Sequence, residues 1–279
     1  MDTLEHLRSW IGRSEQRTDT ITAAPLAALA ATLDRDDPAP AGGTAVPPLW
    51  HWLYFLPIAR QSELGPDGHP RRGGFLPPVP LPRRMWAGGE IEFRRALRIG
   101  DKVTRRSTIA SIETKEGRSG SLCFVAVRHE FEAAGTLAIS ERQDVVYRDV
   151  TAGAAPSPGA PEPRPAAGLT SSVFGSPVML FRYSAVTFNG HRIHYDEPYV
   201  TKVENYPGLI VHGPMQATLL MNLAARLGGR RPRRFAYRGL APLIAGEAFD
   251  ICAEPADPGA DCRVINAAGQ VTMRGTASW

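Results

Sequence analysis

Three of the chain's seven histidines, His191, His194 and His212, fall within one run, residues 181–217 (FRYSAVTFNGHRIHYDEPYVTKVENYPGLIVHGPMQA). Asp196, Glu197 and Glu204 lie among them. An imidazole, with an ordinary pKa of about 6.5, exchanges protons near neutral pH. His212-Gly213-Pro214 has the form of a helix start, because Pro suits a first turn. The stripe Met215, Leu219, Leu220 and Leu223 follows, and Gly228-Gly229 is a stop. A helix N-terminus offers unpaired N–H groups and a positive dipole end to a developing oxyanion. Pro214 has no N–H, so Gly213 is the better donor candidate, and its missing side chain would let a carbonyl come close. By ligand type alone His191, His194 and Asp196 suit a metal. No second cluster in the sequence supports one, so no metal is expected.

Each of these residues has a plainer reading. His194 can make a structural hydrogen bond. Asn189 before Gly190 is a common turn pair. His191 lines a site or lies at the surface, and His212 caps or packs at the helix start. Asp196-Glu197 before Pro198 can simply begin a helix or turn. Arg71, Arg72, Arg83 and Arg84 hold anions or form a solvated basic loop.

The elements that must position these groups follow from composition and periodicity. The chain has 279 residues, 43% hydrophobic and 22% charged, values of an ordinary globular protein. Only three Lys occur, Lys102, Lys115 and Lys202, so 29 of the 32 basic residues are Arg, which binds phosphate and carboxylate bidentately. The net charge is +4, basic residues alternate with Asp and Glu in most segments, and no nucleic-acid motif appears, so a phosphate-bearing small molecule is favoured over nucleic acid. No run of about 18 apolar residues suggests a membrane helix. The first residues, Met1 to Glu5, lack the marks of a secretory leader. Cys123, Cys252 and Cys262 read as small buried hydrophobes in a reducing compartment, which suggests the cytoplasm.

Thr151–Thr170 holds 14 Ala, Gly or Pro in 20 residues and reads as a linker between an N-terminal unit (1–150) and a C-terminal unit (171–279). In the first unit the spacing predicts helix over 3–16 and 23–33, and a buried helix or strand over 49–59, taken as that unit's central helix. A Pro/Gly-rich loop is expected over 61–84, then strands over 91–99, 103–113, 121–132 and 137–148. In the second unit a strand is expected over 178–187, a polar loop over 188–211, a helix from 212 to about 227, and strands over 233–239, 247–254, 261–267 and 270–277. The units echo each other: Leu97-Arg98-Ile99-Gly100-Asp101 against Leu243-Ile244-Ala245-Gly246-Glu247, and Glu132-Ala133-Ala134-Gly135 against Asn266-Ala267-Ala268-Gly269. Two α+β units sharing a sheet would cover one edge of each.

The run Phe188-Asn189-Gly190-His191-Arg192-Ile193-His194, with Gly208 to Gly213 leading into the helix, resembles the motif of the MaoC-like, or hydratase-2, dehydratases. Trp50-His51-Trp52-Leu53-Tyr54-Phe55, Gly68-His69-Pro70 and Arg83-Arg84-Met85-Trp86-Ala87-Gly88-Gly89 resemble the type 2 hydroxyacyl-thioester dehydratase subfamily. The resemblance implies an α+β double hot dog fold, two antiparallel sheets each wrapped on a central helix. It implies a hydro-lyase that adds water reversibly to an α,β-unsaturated acyl-CoA, with no cofactor beyond the coenzyme A of the substrate. A short branched dicarboxylic acyl group such as mesaconyl-C4 is expected. A dehydratase of fatty-acid synthesis and a non-catalytic acyl-CoA-binding protein are the alternatives.

His194 falls on the family's catalytic His. Asn189 falls where the family usually has Asp; an amide cannot act as a base, so it would orient water. The implied catalytic set is Asn189, His194 and Gly213, with His191, Arg192, His212, Arg83, Arg84 and Trp86 against the substrate. Leu33 to Pro38 has no matching His, so the N-terminal unit is expected to be a degenerate one that only builds the acyl tunnel. The protein would act as a monomer or homodimer, without nucleic acid or membrane.

Overall fold

The structure, a computed structural model, describes residues 3–117, 120–149 and 160–279. Its N-terminal half runs α1 (Thr3–Arg8), β1 (Ser14–Thr20), α2 (Ala23–Thr32), a 3-10 turn at Trp50–Leu53, then β2 (Arg83–Phe93), β3 (Lys102–Gly117), β4 (Gly120–Ala133) and β5 (Thr136–Arg148). The C-terminal half runs β6 (Leu169–Phe174), α3 (Pro177–Thr187), a 3-10 turn at Arg192–His194, α4 (Glu197–Lys202), α5 (Gly213–Leu227), β7 (Arg234–Gly239), β8 (Ala248–Ala256), β9 (Gly259–Ile265) and β10 (Val271–Ser278).

All ten strands form one antiparallel sheet in the order β1-β3-β4-β5-β2-β7-β10-β9-β8-β6, which reads equivalently from either end. The halves join at β2 and β7, where Gly88 faces Arg238. A Cβ on Gly88 would lie 2.6 Å from the Tyr237 carbonyl oxygen, so the seam closes only over a residue without a side chain. The expected echo is structural. Leu97 to Asp101 and Leu243 to Glu247 precede β3 and β8, and each carries an isolated bridge to the strand-like segment before a helical turn, Ala45 with Arg98 and Ile210 with Ile244. The other pair of matching tetrapeptides forms the β4–β5 and β9–β10 turns.

Several expectations are corrected. Residues 178–187 form α3, not a strand. Their β-branched and aromatic residues favour strand, but Ser176 caps the first turn, its Oγ accepting from the Met179 N–H at 3.1 Å, and Pro177 occupies N1. Leu180, Tyr183 and Ser184 are then buried at helical spacing. The strand expected over 91–99 ends at Phe93 and begins ten residues earlier, at Arg83, inside the supposed loop. The helix expected over 3–16 stops at Arg8, and β1 follows. β1 and β6 are the sheet's two edges; β1 is mostly exposed, and β6 alternates half-buried with exposed residues. Polar loop 188–211 contains α4, for which Asp196 is the N-cap, its Oδ1 accepting from the Tyr199 N–H at 3.1 Å. Residues 151–159 of the expected linker lie outside the described residues. Beyond them the segment is docked rather than free: Glu162 pairs with Arg274 and Arg164 with Asp250, and Leu169 enters β6.

The two halves differ in their central helix. α5 lies across β8, β9 and β10 with Met215, Leu219, Leu220 and Leu223 buried, as its stripe predicts. Residues 49–59, expected as the counterpart, make only the four-residue 3-10 turn Trp50–Leu53. Leu49 (φ 69°) and Phe55 (φ 57°) bracket it in the left-handed region, and Pro57 lies beyond, where it cannot continue a helix. Trp50, Leu53, Tyr54 and Phe55 are buried one by one instead. Between the halves lies a cavity of about 2000 Å³, lined from both. Among the described residues no helix is long and apolar enough to cross a membrane.

Candidate active site

The cavity's polar end lies where the 188–194 loop meets the start of α5. Phe188 closes α3 in the left-handed region (φ 51°), and the Asn189 N–H donates to the Ser184 carbonyl at 2.9 Å. Asn189 Oδ1 then accepts from the His191 N–H at 3.0 Å. Its carbonyl oxygen is therefore committed to this turn, and its NH2 remains as a donor.

His194 is buried (6% exposed) and lines the cavity. Its Nδ1 lies 2.7 Å from the Ile210 carbonyl oxygen. A carbonyl only accepts, so Nδ1 carries the proton and Nε2 keeps its lone pair. Burial pushes the His194 pKa down from 6.5 to about 4, although the Ile210 carbonyl works in the opposite direction. The ring is thus neutral at pH 7. It stacks on His212, centroids 3.6 Å apart and planes at 19°. His212 is fully buried at the N-cap of α5 and pairs through Nε2 with Ser184 Oγ at 2.8 Å. This stacking holds His194 at the mouth of the helix.

Gly213 opens α5, and among the described residues no group accepts from its N–H. Its missing side chain makes room for Trp86 rather than for an approaching carbonyl, since a Cβ would lie 2.9 Å from Trp86 Cε3. Trp86 is held there by stacking on Tyr237 (4.5 Å, 21°) and by its edge contact with Trp52 (5.5 Å, 90°). The N–H, not the Cα face, is what Gly213 presents.

The expected substrate contacts divide. Asn189, His191, His194, Gly213, Trp86, Arg83 and Arg84 all line the cavity. Arg192 does not: it pairs with Asp196 (2.7 Å), donates to the Pro66 carbonyl (3.0 Å) and covers the Tyr199 ring. His212 is sealed beneath His194, so it supports rather than contacts a ligand. Arg83 is paired with Glu204 at 3.1 Å. Arg72 donates to the carbonyls of Val79, Leu81 and Pro82, which makes it a brace for the Pro-rich loop. Arg84 has no carboxylate within salt-bridge distance among the described residues, and its charge is felt at His69, His191 and Tyr147.

Sequence reasoning missed Asp67 and His69. They sit in the 61–84 loop of the half expected only to build a tunnel. His69 Nδ1 is 2.9 Å from Asp67 Oδ2, and the His69 ring lies 4.1 Å from that of His191, which is 5.5 Å from that of His194. Four imidazoles therefore stand in a row, His69, His191, His194 and His212. Burial and the neighbouring His69 and His194 drive the His191 pKa far below 6.5. His69 holds the Asp67 carboxyl below its ordinary value despite burial. The metal candidates His191, His194 and Asp196 are not brought together, because Asp196 faces Arg192. Asp67, His69 and His191 instead offer ligand atoms within 4.8 Å of one another, a set able to hold a metal ion. The sequence signal was the Gly68-His69-Pro70 turn, which carries part of the subfamily resemblance but has no local pattern tying it to residue 191.

The sequence model of the family described as hydroxyacyl-thioester dehydratase type 2 matches residues 49–245. The chain is 48% identical over 255 residues to the mesaconyl-C(4)-CoA hydratase of Chloroflexus aurantiacus, covering 88% of each protein. Among solved structures, one titled MaoC-like dehydratase superposes with TM-score 0.73 at 16% identity, over 97% of this chain and 98% of that one. A Mycobacterium tuberculosis protein described as having a double hotdog fold superposes with TM-score 0.58 at 14% identity, over 96% of each chain. The expected fold is thus shown, with its two sheets fused edge to edge into one.

Proposed function

The chain belongs to the type 2 hydroxyacyl-thioester dehydratase family, and on that premise we propose that it adds water reversibly to a short, branched, dicarboxylic enoyl-CoA such as mesaconyl-C4-CoA. The relative at 48% identity is named for that hydration. The observation that carries the reading is the neutral His194, which lines the cavity and is stacked at the helix mouth where the Gly213 N–H has no acceptor among the described residues.

In the dehydration direction the thioester carbonyl of a 3-hydroxyacyl-CoA accepts from Gly213. His194 Nε2 takes the α-proton, the electron pair moves toward the carbonyl as an enolate, and the β-carbon–oxygen bond breaks as it returns, the leaving oxygen gaining a proton to depart as water. Hydration is the reverse: His194, now protonated on Nε2, returns that proton to the α-carbon while water oxygen joins the β-carbon and gives up a proton. Asn189 orients the water through its NH2. An oxyanion donor of this kind lowers a barrier by about 3–4 kcal/mol, and a positioned acid–base group accelerates about 100- to 10,000-fold. The reaction is redox-neutral, so it needs no redox cofactor. Arg84, a cavity cation without a carboxylate partner among the described residues whose charge acts on His69 and His191, suits the distal carboxylate. The three free, buried cysteines support a cytoplasmic setting.

The test is incubation with mesaconyl-C4-CoA while the enoyl absorbance is followed. Its loss with formation of the hydroxyacyl product is expected. Turnover of long linear enoyl-thioesters alone would overturn the substrate class, and no turnover of any enoyl-thioester would overturn the hydratase reading.

A further inference from the structure

The hydratase reading leaves one role unfilled: a group that takes the proton of the water joining the β-carbon. Asn189 does not titrate, and its oxygen is already used. His212 is sealed between Ser184 and His194. Glu204 is tied to Arg83 and Tyr199, and Asp196 to Arg192. We propose that Asp67 and His69, from the N-terminal half, fill it, with His69 exchanging the proton of water and Asp67 positioning His69.

Asp67 grips His69 twice, accepting from its N–H at Oδ1 (3.0 Å) and pairing with Nδ1 at Oδ2 (2.9 Å). A carboxylate behind Nδ1 fixes the proton there, leaves the Nε2 lone pair free, and stabilises the imidazolium formed when Nε2 accepts a proton. His69 lines the same cavity as His194, and His191 stands between them.

The loop is fixed against the 188–194 segment. The Arg192 N–H donates to the Asp67 carbonyl at 3.0 Å, and the Arg192 guanidinium to that of Pro66 at 3.0 Å. Gly68 (φ 87°) sits so close that a Cβ would fall 1.9 Å from the Gly190 oxygen. A surface loop has no need of such a fit; a pair of reacting groups built from two halves of a chain does.

The step balances. In hydration, water oxygen bonds to the β-carbon as its proton passes to His69 Nε2. The double-bond pair shifts toward the thioester, and the α-carbon takes the Nε2 proton of His194, which enters hydration as the imidazolium that dehydration leaves and ends it neutral. His69 then holds one proton more and His194 one fewer, and transfer through His191 or solvent restores both. The net change is H and OH added across the double bond.

The proposal rests on the hydratase reading, and its test separates the two. The variants His69→Ala and Asp67→Asn of the full chain are assayed with mesaconyl-C4-CoA beside the wild type, with melting curves as the check on folding. For His69→Ala kcat is expected to fall about 100-fold or more at a KM within threefold of wild type, with partial recovery in added imidazole. Asp67→Asn is expected to lose about tenfold or more in kcat, again at unchanged KM, because the amide no longer stabilises the imidazolium. An active wild type whose His69→Ala variant keeps kcat within about threefold overturns this inference alone, and so does loss without imidazole rescue in a folded variant. Stoichiometric zinc in the purified wild type, with activity abolished by chelation, also overturns it, by making the trio a metal site. A wild type inactive on every enoyl-thioester overturns the hydratase reading and this inference together.

Discussion

Replacing His194 by Asn separates what its two ring nitrogens do. Asn places an NH2 near the position of Nδ1, so the bond to the Ile210 carbonyl, 2.7 Å in the wild type, is retained. Nothing replaces Nε2. If Nε2 moves the α-proton, kcat falls about 100- to 10,000-fold while the fold persists. The same variant has a stability signature. The wild-type His194 pKa is lowered from 6.5 to about 4, so the unfolded chain binds a proton that the native state refuses as the pH falls through this window. The stability held above pH 6.5 is therefore lost toward pH 4, by about 2 kcal/mol between pH 7 and pH 5 and about 3 kcal/mol in full. His194→Asn removes that contribution, so its loss of stability between pH 7 and pH 5 is smaller than that of the wild type by about 2 kcal/mol. The assays are steady-state hydration at pH 7 and urea unfolding at pH 7 and 5. A variant retaining kcat within about tenfold refutes the chemical assignment. Equal acid sensitivity in the two proteins refutes the burial argument. His194→Gln is the companion: it loses the donor to Ile210 and is expected to cost a further 1–3 kcal/mol, roughly, at pH 7, for the orphaned carbonyl.

Gly213→Ala forces a methyl against Trp86, 2.9 Å from Cε3; about 1–3 kcal/mol of stability and a shifted tryptophan emission are expected, with reduced kcat. Ser184→Ala leaves buried His212 Nε2 without its partner, and urea unfolding should register about 1–3 kcal/mol. Arg84→Ala should raise KM for a dicarboxylic acyl-CoA about tenfold or more and leave that of a linear monocarboxylic enoyl-CoA unchanged; an equal rise for both would show that Arg84 meets the coenzyme A portion instead. Glu141→Ala removes a buried carboxylate that accepts from Trp52 Nε1 at 3.0 Å and pairs with His51 at 2.9 Å, and a melting curve should show a loss of about 3–5 kcal/mol.

The sequence by itself determined what depends on neighbours along the chain. α5 was legible in its Pro-bearing first turn, its apolar stripe and its glycine stop. The strands of each meander were legible in alternation and turn residues, and the internal duplication in two matching peptides that prove to hold equivalent places in the sheet. The run from Asn189 to His194 carried the family, because its spacing survives as a local motif.

Tertiary structure decided the rest. α3 hid in a β-prone composition because a cap and three buried positions outweighed propensity. Residues 49–59 were apolar enough for a central helix, yet two left-handed residues and Pro57 reduced them to one turn beside the cavity. Gly213 looked like room for a ligand and is room for Trp86, a residue 127 positions away. Arg192, Arg72 and Arg83 looked like anion ligands and are spent on Asp196, backbone carbonyls and Glu204. Asp67 and His69 reach the site only when β2 pairs with β7. No periodicity or cap encodes that contact, because its free energy belongs to a seam between two halves of the chain and to no single segment.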